Sequence, residues 1–231
     1  MTAAVLPKGW ERIDPTHPLD CVCWLFRTGG KSLQFDAGTG LGPLPVGLPD
    51  WLFLTHGHAD HSGGAARLEA AGARIVAGET TSAWLSAGDE TAISLNRARA
   101  AGVYPADYVF VPLSEVGVIA PGDRKRFGDA VIEAIATPGH SADHLSYLVE
   151  VGGTRVLVGG DALFKDGTII LQDTWDSTVP ETCRTIETIA GLAPDHILPG
   201  HGPALIGNDA ADAVERAASR VARFLPPLLY L

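Results

Sequence analysis

Short apolar runs recur along the chain, each bounded by Gly, Pro or a polar turn. They read CVCWLF (21–26), SLQF (32–35), WLFL (51–54), RIVA (74–77), AVIEAIA (130–136), LSYLVEV (145–151), RVLV (155–158) and HIL (196–198). Their length and their Val, Ile, Leu and aromatic content predict strands. The first two flank Thr28-Gly29-Gly30-Lys31, which predicts a hairpin. Helical patterns fit between the runs, over 62–71, 79–86 and 90–101. Thr178-Val-Pro-Glu181 is a capping box with proline in the first turn. It opens a helix with Cys183, Ile186 and Ala190 on one face, which makes Cys183 a core residue. Asn208 is the expected cap of a last helix with Val214, Ala217, Val221 and Phe224 on one stripe. A layered sandwich with helices outside would bury all of this. Periodicity alone does not select the topology.

Bulk properties narrow the class. The 231 residues fit one large domain. The formal net charge is −10, and no run of Lys and Arg exceeds Arg124-Lys125-Arg126, so nucleic acid is a poor partner. Cys21, Cys23 and Cys183 form no dense framework, which predicts reduced thiols and a cytoplasmic setting. The start, MTAAVLPKGWERIDP, has no basic segment followed by a long apolar one, so no secretory leader is expected. No apolar run approaches the ~20 residues of a membrane span, so no membrane partner is expected. The apolar end FLPPLLYL (224–231) is expected to pack on the core, with a homodimer contact as the alternative.

Composition does not explain THGHADHSGG (55–64), where His56, His58, Asp60 and His61 crowd six positions of a chain with eight histidines. Imidazole and carboxylate both suit zinc and similar ions. In an extended turn, residues i and i+2 point the same way, so His56 and His58 could grip one ion. Asp60 and His61, where a helix begins, could face a second. The alternative is histidines satisfied by hydrogen bonds in the core. Two pairs leave both ions short of ligands, and three more candidates exist. His140 ends TPGH after run 130–136. Asp161 ends GGD after run 155–158. His201 lies in LPGHG after run 196–198. Each sits just past the C-terminal end of an apolar strand, where α/β folds tend to place chemistry.

In this order, THGHADH, TPGH, GD and PGHG resemble the motifs of the metallo-β-lactamase fold superfamily, and FDAG (35–38) resembles its early Asp-x-Gly turn. The resemblance runs from about residue 20 to 205. It implies a four-layer αββα sandwich with a two-metal site on one sheet edge. By motif, His56, His58 and His140 would hold one ion and Asp60, His61 and His201 the other, with Asp161 bridging. Asp36 would stand behind the ligands and fix their loop, with a plain turn cap as its alternative. His144 would be a supporting residue, not a ligand. His17 and His196 are expected in a surface loop and a strand.

The resemblance implies a reaction in which paired metals activate a shared water and polarise the attacked group. Asp60 and Asp161 would be the catalytic carboxylates. No GxSxG elbow competes. The bridging Asp161 argues against the antibiotic-degrading branch, and His58 against the flavodiiron branch, which uses glutamate there. Acidic charge argues against the RNA-processing and DNA-repair branches. Phe164 stands where acyl-homoserine lactonases usually have tyrosine. The run GDALF (160–164) looks more like glyoxalase II-type thioesterases, although thirty residues after His201 are too few for the helical domain that holds glutathione there. The expected function is a binuclear hydrolase of a small-molecule thioester, ester or lactone. A one-iron persulfide dioxygenase, or a phosphodiesterase or phosphotriesterase, is the runner-up. Zinc is the expected metal, and manganese or iron also suits these ligands. The segment 78–112 is expected to cover the metal edge. Trp84, Tyr104, Tyr108, Phe164 and Trp175 are candidates to line the pocket, with core packing as the alternative for each.

Overall fold

The structure, a computed structural model, describes residues 5–44 and 47–229. The strands are β1 (Trp10–Ile13), β2 (Cys23–Thr28), β3 (Lys31–Phe35), β4 (Trp51–Phe53), β5 (Arg74–Ala77), β6 (Val116–Val118), β7 (Arg124–Phe127), β8 (Ala130–Ala136), β9 (Leu145–Val151), β10 (Thr154–Gly160), β11 (Thr168–Ile169), β12 (His196–Pro199), β13 (Leu205–Ile206) and β14 (Leu228–Leu229). The helices are α1 (Ala59–Ser62), α2 (Ala65–Ala70), α3 (Glu79–Ala87), α4 (Leu95–Ala100), α5 (Val179–Leu192) and α6 (Asn208–Val221). One sheet runs β1-β2-β3-β4-β5-β6 and the other β13-β12-β10-β9-β8-β7, while β11 and β14 pair separately.

Strand alternation builds the layers. Phe53 and Val76 face the second sheet, where they meet Ile132, Tyr147, Val149 and Val156. Their neighbours Leu52, Leu54 and Ile75 point the other way, onto Leu68 of α2 and Leu85 of α3. In the second sheet, Leu148, Leu157 and Ile197 turn outward onto Ile186 and Ile189 of α5 and Ala213 and Ala217 of α6. Period-2 patterning on two sheets, each with one face inward and one under helices, is the αββα sandwich. The central runs are apolar throughout because both faces of each sheet are covered. The hairpin forms around Gly29 and Gly30, both at positive φ, with Thr28 paired to Lys31.

Several expectations need correction. The helix over 62–71 is two pieces, α1 and α2, broken at Gly63-Gly64. A Cβ at Gly64 would lie 2.2 Å from the Ala37 carbonyl, and one at Gly63 2.6 Å from the Thr39 carbonyl. The preceding loop passes too close for side chains there. Of 90–101, Leu95–Ala100 is helical, entered through Ser94 at φ 57. Thr178 caps α5 as expected, but the buried face is Thr182, Thr185, Ile186 and Ile189, so Cys183 is half-buried on its flank. The α6 cap is Gly207, with Asn208 already helical. Its buried stripe is Ala210, Ala213 and Ala217, and Phe224 lies past its end, 99% exposed. The tail instead pairs Leu228–Leu229 with β11. The first four residues of the chain's start, and Tyr230 and Leu231 of its apolar end, lie outside the described residues.

Candidate metal centre

The candidate ligands lie in the turns just past strand ends or, for Asp60 and His61, on the short helix α1 that follows one. The chain leaves β4 through Leu54, whose carbonyl accepts from Tyr147 Oη of the facing sheet at 2.7 Å. It then turns through Thr55–His58 into α1. Two buried carboxylates hold this turn. Asp36, at the end of β3 with φ 62, accepts from Thr55 N–H at 2.8 Å and from the Thr55 hydroxyl. Asp143 accepts from Gly57 N–H at 2.8 Å, from Thr81 Oγ1 at 2.9 Å and from Ser141 Oγ at 2.7 Å. Sequence reasoning passed over Asp143. Its signal was an acid between two singled-out histidines, His140 and His144. His140 follows β8, Asp161 follows β10 and His201 follows β12, all beside this turn.

Two triads result. His58 Nδ1 lies 3.1 Å from His56 Nε2 and 3.0 Å from His140 Nε2. One proton cannot serve three converging ring nitrogens, whereas one cation can. In the second triad, Asp60 Oδ2 lies 3.6 Å from His61 Nε2 and 3.2 Å from His201 Nε2. Asp161 spans both. Its Oδ1 lies 3.3 Å from His61 Nε2, and its Oδ2 lies 3.4 Å from His140 Nε2 and 3.5 Å from His201 Nε2. His61 Nε2 and Asp161 Oδ1 are buried with no hydrogen-bond partner among the described residues. Such orphans are costly unless a ligand satisfies them. A Cβ at Gly200 would lie 2.4 Å from Asp161 Oδ1 and 2.5 Å from His61 Cε1, so the cradle requires glycine there. The orphans, the converging nitrogens and the His/Asp donor set fit two divalent cations.

The outward ring nitrogens are tied back. His61 Nδ1 meets Asp36 Oδ2 at 2.8 Å, His56 Nδ1 meets Thr55 Oγ1 at 3.0 Å, and His140 Nδ1 meets the Ile170 carbonyl at 3.2 Å. Asp36 is therefore more than a turn cap: it orients a ring, as such outer partners do. His144 is held by Thr137 Oγ1 through Nδ1 and accepts the Asp161 N–H on Nε2 at 3.0 Å, so it positions the backbone of Asp161.

Burial lowers the pKa of His56, His58 and His144 and takes His140 to about 4 against the opposing charge of Asp161, so these imidazoles are neutral. His201 is different. Burial works against its charged form, but Asp161 and Asp60 overcome that and raise it to about 10. Asp60 is also opposed by burial, yet His61 and His201 hold it down at about 2. The site is thus half neutral nitrogen, half ion-paired.

A cavity of about 630 Å³ opens from the second triad, with His58, Asp60 and His201 in its wall. Its far side comes from Ile93 to Tyr104 and from Gln172 to Thr174. Of the five aromatic pocket candidates, Tyr104 lines it. Trp84 packs on Trp175 edge to face at 5.9 Å, and Trp175 donates its Nε1–H to the Ala92 carbonyl. Tyr108 Oη donates to the Thr39 carbonyl at 2.7 Å. Phe164 is fully buried, its ring 6.3 Å from that of His201. His17 lies in a loop and His196 in β12, as expected.

Fold and site together define an αββα protein with a cluster of His and Asp side chains, of a kind that fits divalent cations, at one edge of its sheets. The sequence profile of the metallo-beta-lactamase superfamily matches residues 17–230, and the chain belongs to that superfamily. A hydroxyacylglutathione hydrolase of Acidiphilium cryptum is 28% identical over 78% of this chain and 63% of its own length. The chain thus spans less than two thirds of that relative. Acyl-coenzyme A thioesterase MBLAC2 of Gallus gallus is 28% identical over 77% of this chain and 71% of its own. In three dimensions, a metallo-beta-lactamase family protein from Thermus thermophilus superposes with a TM-score of 0.70 at 19% identity, covering 95% of this chain and 81% of that one. No helix among the described residues is long and apolar enough to cross a membrane.

Proposed function

We propose that the chain is a binuclear metal-dependent hydrolase that cleaves thioesters of small molecules. The observation that carries this reading is Asp161, whose two oxygens face His61 on one side and His140 and His201 on the other. In the roles proposed, His56, His58 and His140 hold one ion, Asp60, His61 and His201 the other, and Asp161 both. Zinc suits this set best. Such a pair supplies a water acidified to a nucleophile near neutral pH and a polarised carbonyl.

The chain's own residues do the rest. Asp60 stands in the cavity wall, where its carboxylate, kept ionised by His61 and His201, can accept a hydrogen bond from the water and orient it. Tyr104 keeps its phenolic proton, because burial and the charge of Asp60 push its pKa up. It therefore faces the cavity as a donor to a developing oxyanion. Residues 93–104 of the segment 78–112 form part of the far side of that cavity. Thioesters are favoured over other esters and lactones because one matched relative is named an acyl-coenzyme A thioesterase and another a hydroxyacylglutathione hydrolase. The three free thiols fit a reducing, cytoplasmic setting.

The test is a panel of thioesters, lactones, aryl esters and phosphodiesters, assayed with zinc, manganese and iron. Thioesters should be cleaved fastest, and His140→Ala or Asp60→Ala should lower kcat by at least ~100-fold. One iron per chain with thiol-dependent O₂ uptake would overturn the reading in favour of persulfide oxidation.

A further inference from the structure

The cavity beside the second triad has a lining of two chemical kinds. Leu19, Ile93, Leu95, Ala98 and Val103 are apolar. Among them stand hydrogen-bond donors, namely Arg97, Tyr104 and Thr174. Thr174 Oγ1 is buried and has no hydrogen-bond partner among the described residues. Arg97 is the one Lys or Arg among the described lining residues, in a chain of net charge −10.

The Arg97 guanidinium pairs with Asp173, a second lining residue, on the loop after β11. Their side chains are 56% and 95% exposed. A pair so open to water stabilises little and exchanges partners readily. Asp173 thus shows what the guanidinium can hold without committing it. A planar fork of this kind binds a carboxylate or phosphate through two parallel bonds. The helix that carries Arg97 is entered through Ser94, whose φ of 57 is uncommon for a side chain other than glycine, and Ser94 lines the same cavity. Local backbone strain at a cavity wall marks a place where geometry is over-determined.

We infer that Arg97 is a specificity residue: it anchors an anionic group, carboxylate or phosphate, on the substrate, with Thr174 as a companion donor and the apolar lining residues receiving the uncharged part. This names the substrate class of the proposed site, an anionic thioester, and for its kinetic arm rests on that reading.

The test compares metal-loaded wild type with Arg97→Gln, Arg97→Lys and Asp173→Asn. Three thioesters of one acyl group are used: the glutathione thioester, bearing carboxylates; the coenzyme A thioester, bearing phosphates; and the neutral N-acetylcysteamine thioester. The readout is the ratio of kcat/KM for each anionic substrate to that for the neutral one. Arg97→Gln should lower that ratio about tenfold, the low end for a charge-assisted hydrogen bond at an open site. Arg97→Lys should fall between, and Asp173→Asn should raise the ratio about threefold by freeing the guanidinium. A fall in the glutathione arm assigns a carboxylate, and a fall in the coenzyme A arm a phosphate. Equal ratios in wild type and Arg97→Gln in both arms would overturn the proposal while leaving thioester hydrolysis standing. If wild type cleaves no thioester, the functional reading has failed, and calorimetry decides the inference. The probes are then S-methylglutathione and the methyl thioether of coenzyme A, titrated into metal-free wild type and Arg97→Gln. About tenfold weaker binding of either by the variant sustains the assignment, and equal or absent binding of both ends it.

Discussion

Gly200→Ala probes the metal cradle without touching a proposed ligand. Gly200 does not sit at positive φ, so alanine can adopt its backbone. The backbone cannot retreat either: Gly200 donates to the Gly160 carbonyl at 2.7 Å, and its own carbonyl accepts from Val22 N–H at 2.6 Å. The new Cβ would lie 2.4 Å from Asp161 Oδ1 and 2.5 Å from His61 Cε1, against 3.4 Å where ordinary contact begins. Asp161 and His61 must therefore yield by about 1 Å, a displacement that costs on the order of 100-fold where groups are positioned for chemistry. Isothermal titration of zinc into the metal-free variant should show affinity at the second triad reduced ~10–100-fold, the range seen when ligand support is disturbed. The metal-free melting temperature should move by only a few degrees, because the change adds one methyl at the sheet edge (a loss of about 1 kcal/mol shifts Tm by ~2–4 °C in a domain this size). Wild-type zinc affinity and activity in Gly200→Ala would refute the placement of both side chains.

Other perturbations test separate parts. Asp36→Asn weakens the acceptor on His61 Nδ1, and zinc affinity should fall ~10–100-fold by titration calorimetry. Tyr147→Phe leaves the Leu54 carbonyl without its donor between the sheets, and urea unfolding should show a loss of about 1–3 kcal/mol. For the metal-free protein, the urea midpoint should peak near pH 6.5. Burial, opposed by Asp161, holds folded His140 at about 4, so its contribution is complete above the ordinary histidine value of ~6.5 and is lost as pH falls through 4. His201 is raised to about 10, so its contribution is complete below ~6.5 and is lost as pH rises through 10. A midpoint flat from pH 4 to 10 would contradict both. Zinc binding at pH 7 should release the His201 proton, seen as a binding heat that varies with the buffer's ionisation enthalpy.

The parts legible in sequence were those where chemistry or burial leaves few options. HxHxDH, TPGH, GGD and LPGHG carry residue types that only make sense gathered, and each follows an apolar run covered on both faces. The edge strands β1 and β7 were missed because edges are half-solvated: Arg124–Phe127 reads RKRF and Trp10–Ile13 reads WERI. The break at Gly63-Gly64 was invisible because its cause is a distant loop, with the Ala37 and Thr39 carbonyls crossing over the helix start. Asp143 carries no local signal beyond an acid in a turn, and its role appears only when Gly57, 86 positions earlier, is brought against it. Aromatic identity could not tell a pocket wall from a packed ring, which is why Tyr104 lines the cavity while Tyr108, next to it at 5.1 Å, is tied to Thr39 instead.

Metal stoichiometry at saturation, read by elemental analysis and followed by thioester hydrolysis as each equivalent is added, tests the central claim most directly. The account predicts two zinc ions per wild-type chain, hydrolysis that rises with the second equivalent, and about one ion per chain in Asp161→Ala. Saturation of the wild type at a single ion, with full activity already present, would contradict it.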